Sequence, residues 1–238
     1  MQTVLITGGS RGIGAGMVRL FSQRGWRTAF TYRHSEENAW NLSKETGSLA
    51  IRCDAGSEAE TEQMSLQVLS SFSHLDALIC NAGTAYTGLI QDMTVEEWDE
   101  LFRVHVRGAF LASRAFLPGM ISRKSGSVLF ISSMWGQAGA SCEAAYSACK
   151  ASLIGFTKAL AKEVGPSGIR VNCLCPGVIQ TDMLNCYGED DLAALKEETP
   201  LLRLGTPQDI AQAAFFLSGS EASFITGQLL GVNGGFVI

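Results

Sequence analysis

Tyr146 and Lys150 stand four residues apart at the start of a run, 144 to 164, whose apolar residues recur at helical spacing. Four residues is about one helical turn, so both side chains leave the same face, one above the other. A free phenol titrates at about 10 and is a poor proton source at neutral pH. An ammonium within a few Å lowers that by roughly 1–3 units, because it favours the phenolate. A general acid so placed contributes about 10²–10⁴-fold to a rate. Ser133 follows the apolar run Val128-Leu129-Phe130-Ile131, and a strand ending there presents its hydroxyl to a substrate oxygen. On its own the pattern has a plainer reading, a surface tyrosine beside a snorkelling lysine, so the rest of the chain has to decide.

The elements that would position these residues begin at Val4-Leu5-Ile6, a short β-branched run. It leads at once into Thr7-Gly8-Gly9-Ser10-Arg11-Gly12-Ile13-Gly14 and then a helical pattern ending near Gly25. Strand, glycine turn and helix together are the context that gives a glycine motif meaning. Glycine lets backbone approach a pyrophosphate, and the helix N-terminus offers free N–H donors and a positive dipole end. The glycines fall at 8, 12 and 14, not in the common G-x-G-x-x-G spacing, and a tight connection is the plainer alternative. The next strand, Arg27 to Tyr32, runs into Arg33-His34-Ser35 with no carboxylate before Glu36. A ribose 2′-hydroxyl calls for an Asp or Glu about 20 residues past the glycines, and a 2′-phosphate for arginine. Arg33, with Arg11 in the loop, favours NADP(H) over NAD.

Leu49 to Cys53 reads as a third strand, with Asp54 at its end where an adenine amino group would be bound, and Glu58 to Phe72 as a helix. Asp76 to Cys80 is a fourth strand, entering Asn81-Ala82-Gly83, whose small residues leave room for a cofactor where ligands bind in open α/β sheets. Glu96 to Arg123 is one long helical stretch, with or without a break. Gly126 to Ser132 and Ile169 to Leu174 are further strands, the latter running into Cys175-Pro176-Gly177. Residues 183–204 lack a regular pattern and carry Glu189-Asp190-Asp191, so they read as a mobile substrate flap. A helix from Pro207 and a last strand, Leu229 to Val232, complete the chain. Alternating strands and helices predict an α/β fold: one Rossmann-like domain over 1–238, its mostly parallel seven-stranded sheet doubly wound with helices on both faces.

The composition fits. The 238 residues are 46% hydrophobic and 17% charged, enough for one full core. A net charge of −5 without a basic block argues against a nucleic-acid partner. Seven scattered cysteines, the closest pair Cys173-x-Cys175, make no metal spacing and read as reduced and buried in a cytoplasmic protein. No signal peptide opens the chain, and no apolar run approaches the ~20 residues of a membrane span.

These motifs in this order resemble the short-chain dehydrogenase/reductase family over the whole length: Thr7-Gly8-x-x-x-Gly12-x-Gly14, Asp54, Asn81-Ala82-Gly83, Ser133, Tyr146-x-x-x-Lys150, and Pro176-Gly177 with Thr181. Within that family the runs Gly168 to Asn172 and Ile225 to Gly235 resemble bacterial 3-oxoacyl-acyl-carrier-protein reductases. The resemblance implies NADPH reducing a ketone, with Tyr146 donating the proton and Ser133 orienting the carbonyl. Lys150 would hold the nicotinamide ribose and lower the phenol's pKa. Cofactor contacts would come from Gly8, Ser10, Arg11, Gly12, Ile13, Gly14, Arg33, Asp54, Asn81, Ala82, Gly83, Pro176, Gly177, Ile179 and Thr181, besides Tyr146 and Lys150. A homotetramer is implied, and no metal.

Three departures carry information. Cys80 replaces the first asparagine of the family's Asn-Asn-Ala-Gly. His105 stands where the family's catalytic tetrad has an asparagine that helps hold a relay water; a packed core histidine is the alternative. In the relay its ring would add a titration to the pH–rate profile, with Lys150 nearby disfavouring the imidazolium and keeping the ring neutral at working pH. Of the two basic residues by which carrier reductases resemble one another, Lys124 can stand for one, but Ser167 occupies the other position. The segment Ser132 to Glu143 also resembles reductases proposed to act on a 5-aminopentanone group of elongation factor P. Glu143 suits a substrate ammonium there, or serves only the helix dipole, worth ~0.3–1 kcal/mol. Trp135, Met93 and Tyr187 are expected to shape the pocket. Acyl carrier protein and elongation factor P are thus the two candidate partners, and a non-catalytic NADP-binding regulator is a reading of another class.

Overall fold

The structure, a computed structural model, describes residues 1–184 and 187–238. Seven strands form one sheet: β1 (Thr3–Ile6), β2 (Arg27–Tyr32), β3 (Leu49–Arg52), β4 (Ala77–Cys80), β5 (Gly126–Ile131), β6 (Ile169–Pro176) and β7 (Leu229–Val232). Their order is β3-β2-β1-β4-β5-β6-β7 and every pairing is parallel. The direction of winding reverses between β1 and β4, and a crevice opens there beyond the strand ends, the place where such sheets bind ligands.

A strand's side chains alternate between faces, and this sheet shows it residue by residue. Leu5, Leu78, Val128, Phe130, Val171, Cys173 and Cys175 enter one core. Val4, Ile6, Ala77, Ile79, Leu129, Ile131 and Leu174 enter the other. The first core is covered by α3 (Glu58–Phe72), α5 (Gly108–Arg123) and α7 (Ala144–Val164), the second by α1 (Gly12–Gln23), α2 (Glu36–Thr46) and α9 (Pro207–Ser218). Burying strands on both faces explains their near-continuous apolar runs. It also explains Cys173-x-Cys175, two side chains on one buried face. Cys53, Cys80 and Cys149 are buried too, but Cys142 is exposed, contrary to expectation, because it lies in the loop before α7 in a left-handed conformation (φ +61°). Cys186 lies outside the described residues.

Helix bounds hold two surprises. The stretch from 95 to 123 is not broken: α4 (Val95–Phe102) passes through a π-helical turn, Arg103–Arg107, directly into α5. A π turn inserts a residue into the winding and re-aims the side chains it carries. Residues 183–204 are also not irregular. A helix, α8 (Glu189–Glu198), occupies their middle, its start tied by the Gly188 N–H donating to the Asp191 carboxylate at 3.1 Å. Acidic residues in its first turn and Lys196 in its last suit the helix dipole, which the search for apolar periodicity overlooked. Residues 185 and 186 of the expected flap lie outside the described residues. A four-residue helix, α6 (Trp135–Ala138), links β5 toward α7.

Candidate active site

The glycine turn sits between β1 and α1 at the crevice. Gly8 and Gly12 adopt left-handed backbone, φ +66° and +53°. A Cβ on Gly14 would lie 2.2 Å from the Gly8 carbonyl oxygen, so the turn closes only with glycine there. Thr7 Oγ1 accepts from the Asn81 and Ala82 N–H groups, each at 3.0 Å, and Asn81 Nδ2 donates to the Thr7 and Gly8 carbonyls. From the other side Thr31 Oγ1 accepts from Gly8 N–H at 3.1 Å. The turn is therefore pinned by β2 and β4 before any ligand arrives.

Helix α1 starts without a side-chain cap. Ser57, Thr94 and Thr206 cap α3, α4 and α9 through their hydroxyls, whereas Arg11 gives α1 no side-chain cap and its first turn holds no acid. Its first N–H groups thus face the crevice beside Ser10, and Ile13 packs against the second core. Thr181 closes the far side, 3.2 Å from where a Gly12 Cβ would be. Below it Pro176 and Gly177 end β6, and Ile179 bridges to Gly205. An uncapped, acid-free helix end behind left-handed glycines fits the pyrophosphate of a nicotinamide dinucleotide.

Ser133 lies two residues past β5 and is 7% exposed. Its Oγ accepts from the Trp135 N–H at 3.1 Å, and Ser133 lies near enough to Tyr146 to favour its phenolate. Lys150 is buried, and its Nζ donates to the Ile131 carbonyl at 2.9 Å, 5.6 Å from the centre of the Tyr146 ring. The structure thus brings Ser133, Tyr146 and Lys150 together at the end of β5. It does not bear out a lysine-lowered phenol: Tyr146 is raised, by burial first, then by Cys149 and Glu143, with only Ser133 acting against them. The ammonium leans toward the strand carbonyl and is itself held below its ordinary pKa by burial.

His105 is turned inward by the π turn and is 3% exposed. Its Nε2 meets the Thr84 backbone, 2.8 Å from the carbonyl oxygen and 3.0 Å from the nitrogen. Its Nδ1 is buried without a hydrogen-bond partner among the described residues. A Cβ on Gly83 would stand 2.2 Å from His105 Cε1, so the third residue of Asn81-Ala82-Gly83 is glycine because the imidazole packs against it. Burial, then Lys150, push the imidazole down to about 3. A buried imidazole beside an ammonium stays neutral at working pH, in line with the effect expected of Lys150.

Asp54, expected at the adenine, is first of all an ion-pair partner. Arg103 Nη1 and Nη2 each donate to it at 3.0 Å, and Arg33 Nε is 3.3 Å away. Arg33 also donates to Glu100 at 3.0 Å, and Glu100 in turn is gripped by Arg103. Thr7, Thr31, Glu100 and Arg103 were missed as site residues. A Glu–Arg spacing of three on a helix was a signal for the last two; their reach to Asp54 was not.

This constellation has relatives. A family model described as enoyl-(acyl carrier protein) reductase matches residues 8–237. The chain belongs to the short-chain dehydrogenase/reductase family. It is an oxidoreductase similar to the 3-oxoacyl-[acyl-carrier-protein] reductase FabG of Chlamydia muridarum, 37% identical over 98% of this chain and 96% of that one. The same-named protein of Staphylococcus epidermidis is 34% identical, over 98% of each chain. An uncharacterized oxidoreductase, YmfI of Bacillus subtilis, is 36% identical over 99% of this chain and 98% of its own. Among the described residues no helix is long and apolar enough to cross a membrane, and no group of His, Cys, Asp and Glu could hold a metal.

Proposed function

We propose that this oxidoreductase reduces a ketone to a secondary alcohol with NADPH, on a 3-oxoacyl thioester borne by acyl carrier protein. The observation that carries the reaction is the convergence of Ser133, Tyr146 and Lys150 at the end of β5, beside the glycine turn. A bound reduced nicotinamide supplies the hydride. Ser133 Oγ and the neighbouring Tyr146 hydroxyl both address the carbonyl oxygen. Tyr146 donates its proton to that oxygen as negative charge develops there. Its raised pKa keeps the phenol protonated at working pH, as a donor must be. Lys150 holds the cofactor's ribose hydroxyls, and the unpartnered His105 Nδ1 is the one ring atom left to hold a relay water. Asp54 and Ala82 would hold the adenosine end, Arg33 and Arg11 the 2′-phosphate, and Thr181 the carboxamide. One domain spans 1–238, with 183–204 over the substrate, in a cytoplasmic homotetramer.

A second substrate class is favoured by Glu143. Its carboxylate is half-buried, its pKa is raised by burial, and it acts on the Tyr146 phenol. It heads α7 yet makes no side-chain cap, so helix capping does not explain it. A ketone carrying an ammonium, such as 5-aminopentanone on elongation factor P, would meet complementary charge there. The Lys124 backbone, by contrast, lies against Gly168 next to Ser167, where carrier reductases would have a second basic residue. NADPH oxidation with an acetoacetyl thioester, run against an amino-ketone on an intact partner protein, decides between them. Stoichiometric NADPH binding with no turnover on either would leave the regulator.

A further inference from the structure

We propose that Glu100 is a specificity residue: its carboxylate occupies the Arg33 guanidinium that a 2′-phosphate needs, and so sets how strongly the enzyme prefers NADPH. The inference rests on the reading of Arg33 as the phosphate ligand.

Two guanidinium groups and two carboxylates form a closed set here. Arg103 is doubly engaged, through paired bonds to Asp54 and through Nε and Nη2 to Glu100. Arg33 has the weaker hold, one bond to Glu100 at 3.0 Å and a 3.3 Å approach to Asp54. Arg33 and Glu100 are 44% and 42% exposed, whereas Asp54 is 16% exposed, so the outer pair is the one that can open. Arg33 also borders a cavity of about 460 Å³ lined by Arg52 as well as by Asp54 and Glu60, so there is room for a phosphate beside a second guanidinium.

A dianionic phosphate on Arg33 would bring a third anionic group to two cations. Asp54 is the more buried carboxylate and is held by paired bonds from Arg103, so it stays in place. Glu100 can release Arg33 and keep Arg103, so it is the group displaced, and its remaining charge repels the phosphate. A ligand without the 2′-phosphate meets none of this. Glu100 therefore weakens phosphate-bearing ligands selectively. An exposed ion pair is worth little, so its removal changes affinity by about two- to fivefold.

The test is equilibrium binding, with 2′,5′-ADP and 5′-AMP as probes beside NADPH and NADH. Glu100→Gln keeps an acceptor for Arg103 while removing the charge. It should tighten 2′,5′-ADP and NADPH about two- to fivefold and leave 5′-AMP and NADH unchanged. Glu100→Ala, with its folded fraction set from melting curves, should shift the same pair in the same direction. Equal changes for all four ligands, no change, or weaker 2′,5′-ADP binding would overturn the inference and leave Glu100 as a brace for Arg103. Arg33→Ala separates this from the underlying reading. If it spares 2′,5′-ADP binding, the phosphate is not at Arg33 and the cofactor reading fails; if it selectively weakens that probe while Glu100→Gln does nothing, only the role of Glu100 falls.

Discussion

The His105 ring meets the Tyr146 ring edge to face, centroids 5.8 Å apart and planes inclined by 86°. Such a pair contributes about 0.5–1.5 kcal/mol beyond its buried area. Here it joins the Tyr146 phenol to the π turn, and through Nε2 to the Thr84 backbone beyond Asn81-Ala82-Gly83. Leu101, Ala145 and Cys149, with Met93 and Phe102 against them, pack around the same tyrosine. The phenol is thus gripped from the side by the π turn and α4 as well as by its own helix.

Replacing Tyr146 with Phe removes the hydroxyl and keeps the ring contact with His105. Turnover should fall about 10²–10⁴-fold, roughly 3–5 kcal/mol of barrier, while NADPH titrations stay close to wild type. A variant retaining more than about a tenth of wild-type turnover, a loss of only ~1.4 kcal/mol, would show that another group donates the proton.

The raised phenol also predicts an asymmetry between directions. Reduction uses the protonated form, which predominates throughout the neutral range, so its rate should be flat there and lose donor only at strongly alkaline pH. Oxidation of the alcohol needs the phenolate, whose fraction rises tenfold per pH unit below the pKa. Initial rates from pH 6 to about 9 in both directions check this. An oxidation rate already level by pH 7 would mean that the phenol is lowered in the working enzyme, as the Lys150 spacing alone leads one to expect.

Much of this site was legible because it rests on local patterns. Apolar runs ending in small residues located β1, β4, β5 and β6, and the i, i+4 spacing put Tyr146 and Lys150 on one helix face. What stayed hidden depends on partners far along the chain. Lys150 reaches the Ile131 carbonyl instead of the phenol, and no helical spacing reveals a strand carbonyl as the better acceptor. Asp54 and Arg103 are 49 residues apart and meet only because β3 and the π turn end at the same corner. Helix α2 was overlooked because only Ala39 and Leu42 of its residues are buried, too few to make a stripe.

Arg33→Asp tests the cofactor reading directly. It removes the 2′-phosphate's partner and places a third carboxylate near Asp54 and Glu100, which Arg103 alone must then offset. NADPH should bind more weakly, and its advantage over NADH should shrink or reverse, since a carboxylate accepts from a 2′-hydroxyl. Fluorescence titration of both cofactors reads it. Equal affinities in the wild-type protein would end the NADP assignment.

His105 gives a pH dependence whose sign is fixed by its burial. The imidazole titrates at about 3 when folded, against about 6.5 when exposed in the unfolded chain. Between those values the unfolded state binds the extra proton, so stability rises with pH there, by up to about 1.4 kcal/mol per unit. The contribution is complete above pH 6.5 and drains away as pH falls toward 3. His105→Asn should flatten that part of the profile in urea melts at pH 7, 6, 5 and 4. It should keep substantial turnover, because an amide can serve the same relay water, while His105→Ala, with neither donor nor acceptor, should lose more per folded molecule. If both variants turn over alike once corrected for folded fraction, the ring is packing alone and Nδ1 holds nothing of consequence. A wild-type pH–rate inflection near 6.5 that disappears in His105→Asn would instead show the imidazole charging in place, and would contradict the burial that the Thr84 and Gly83 contacts impose.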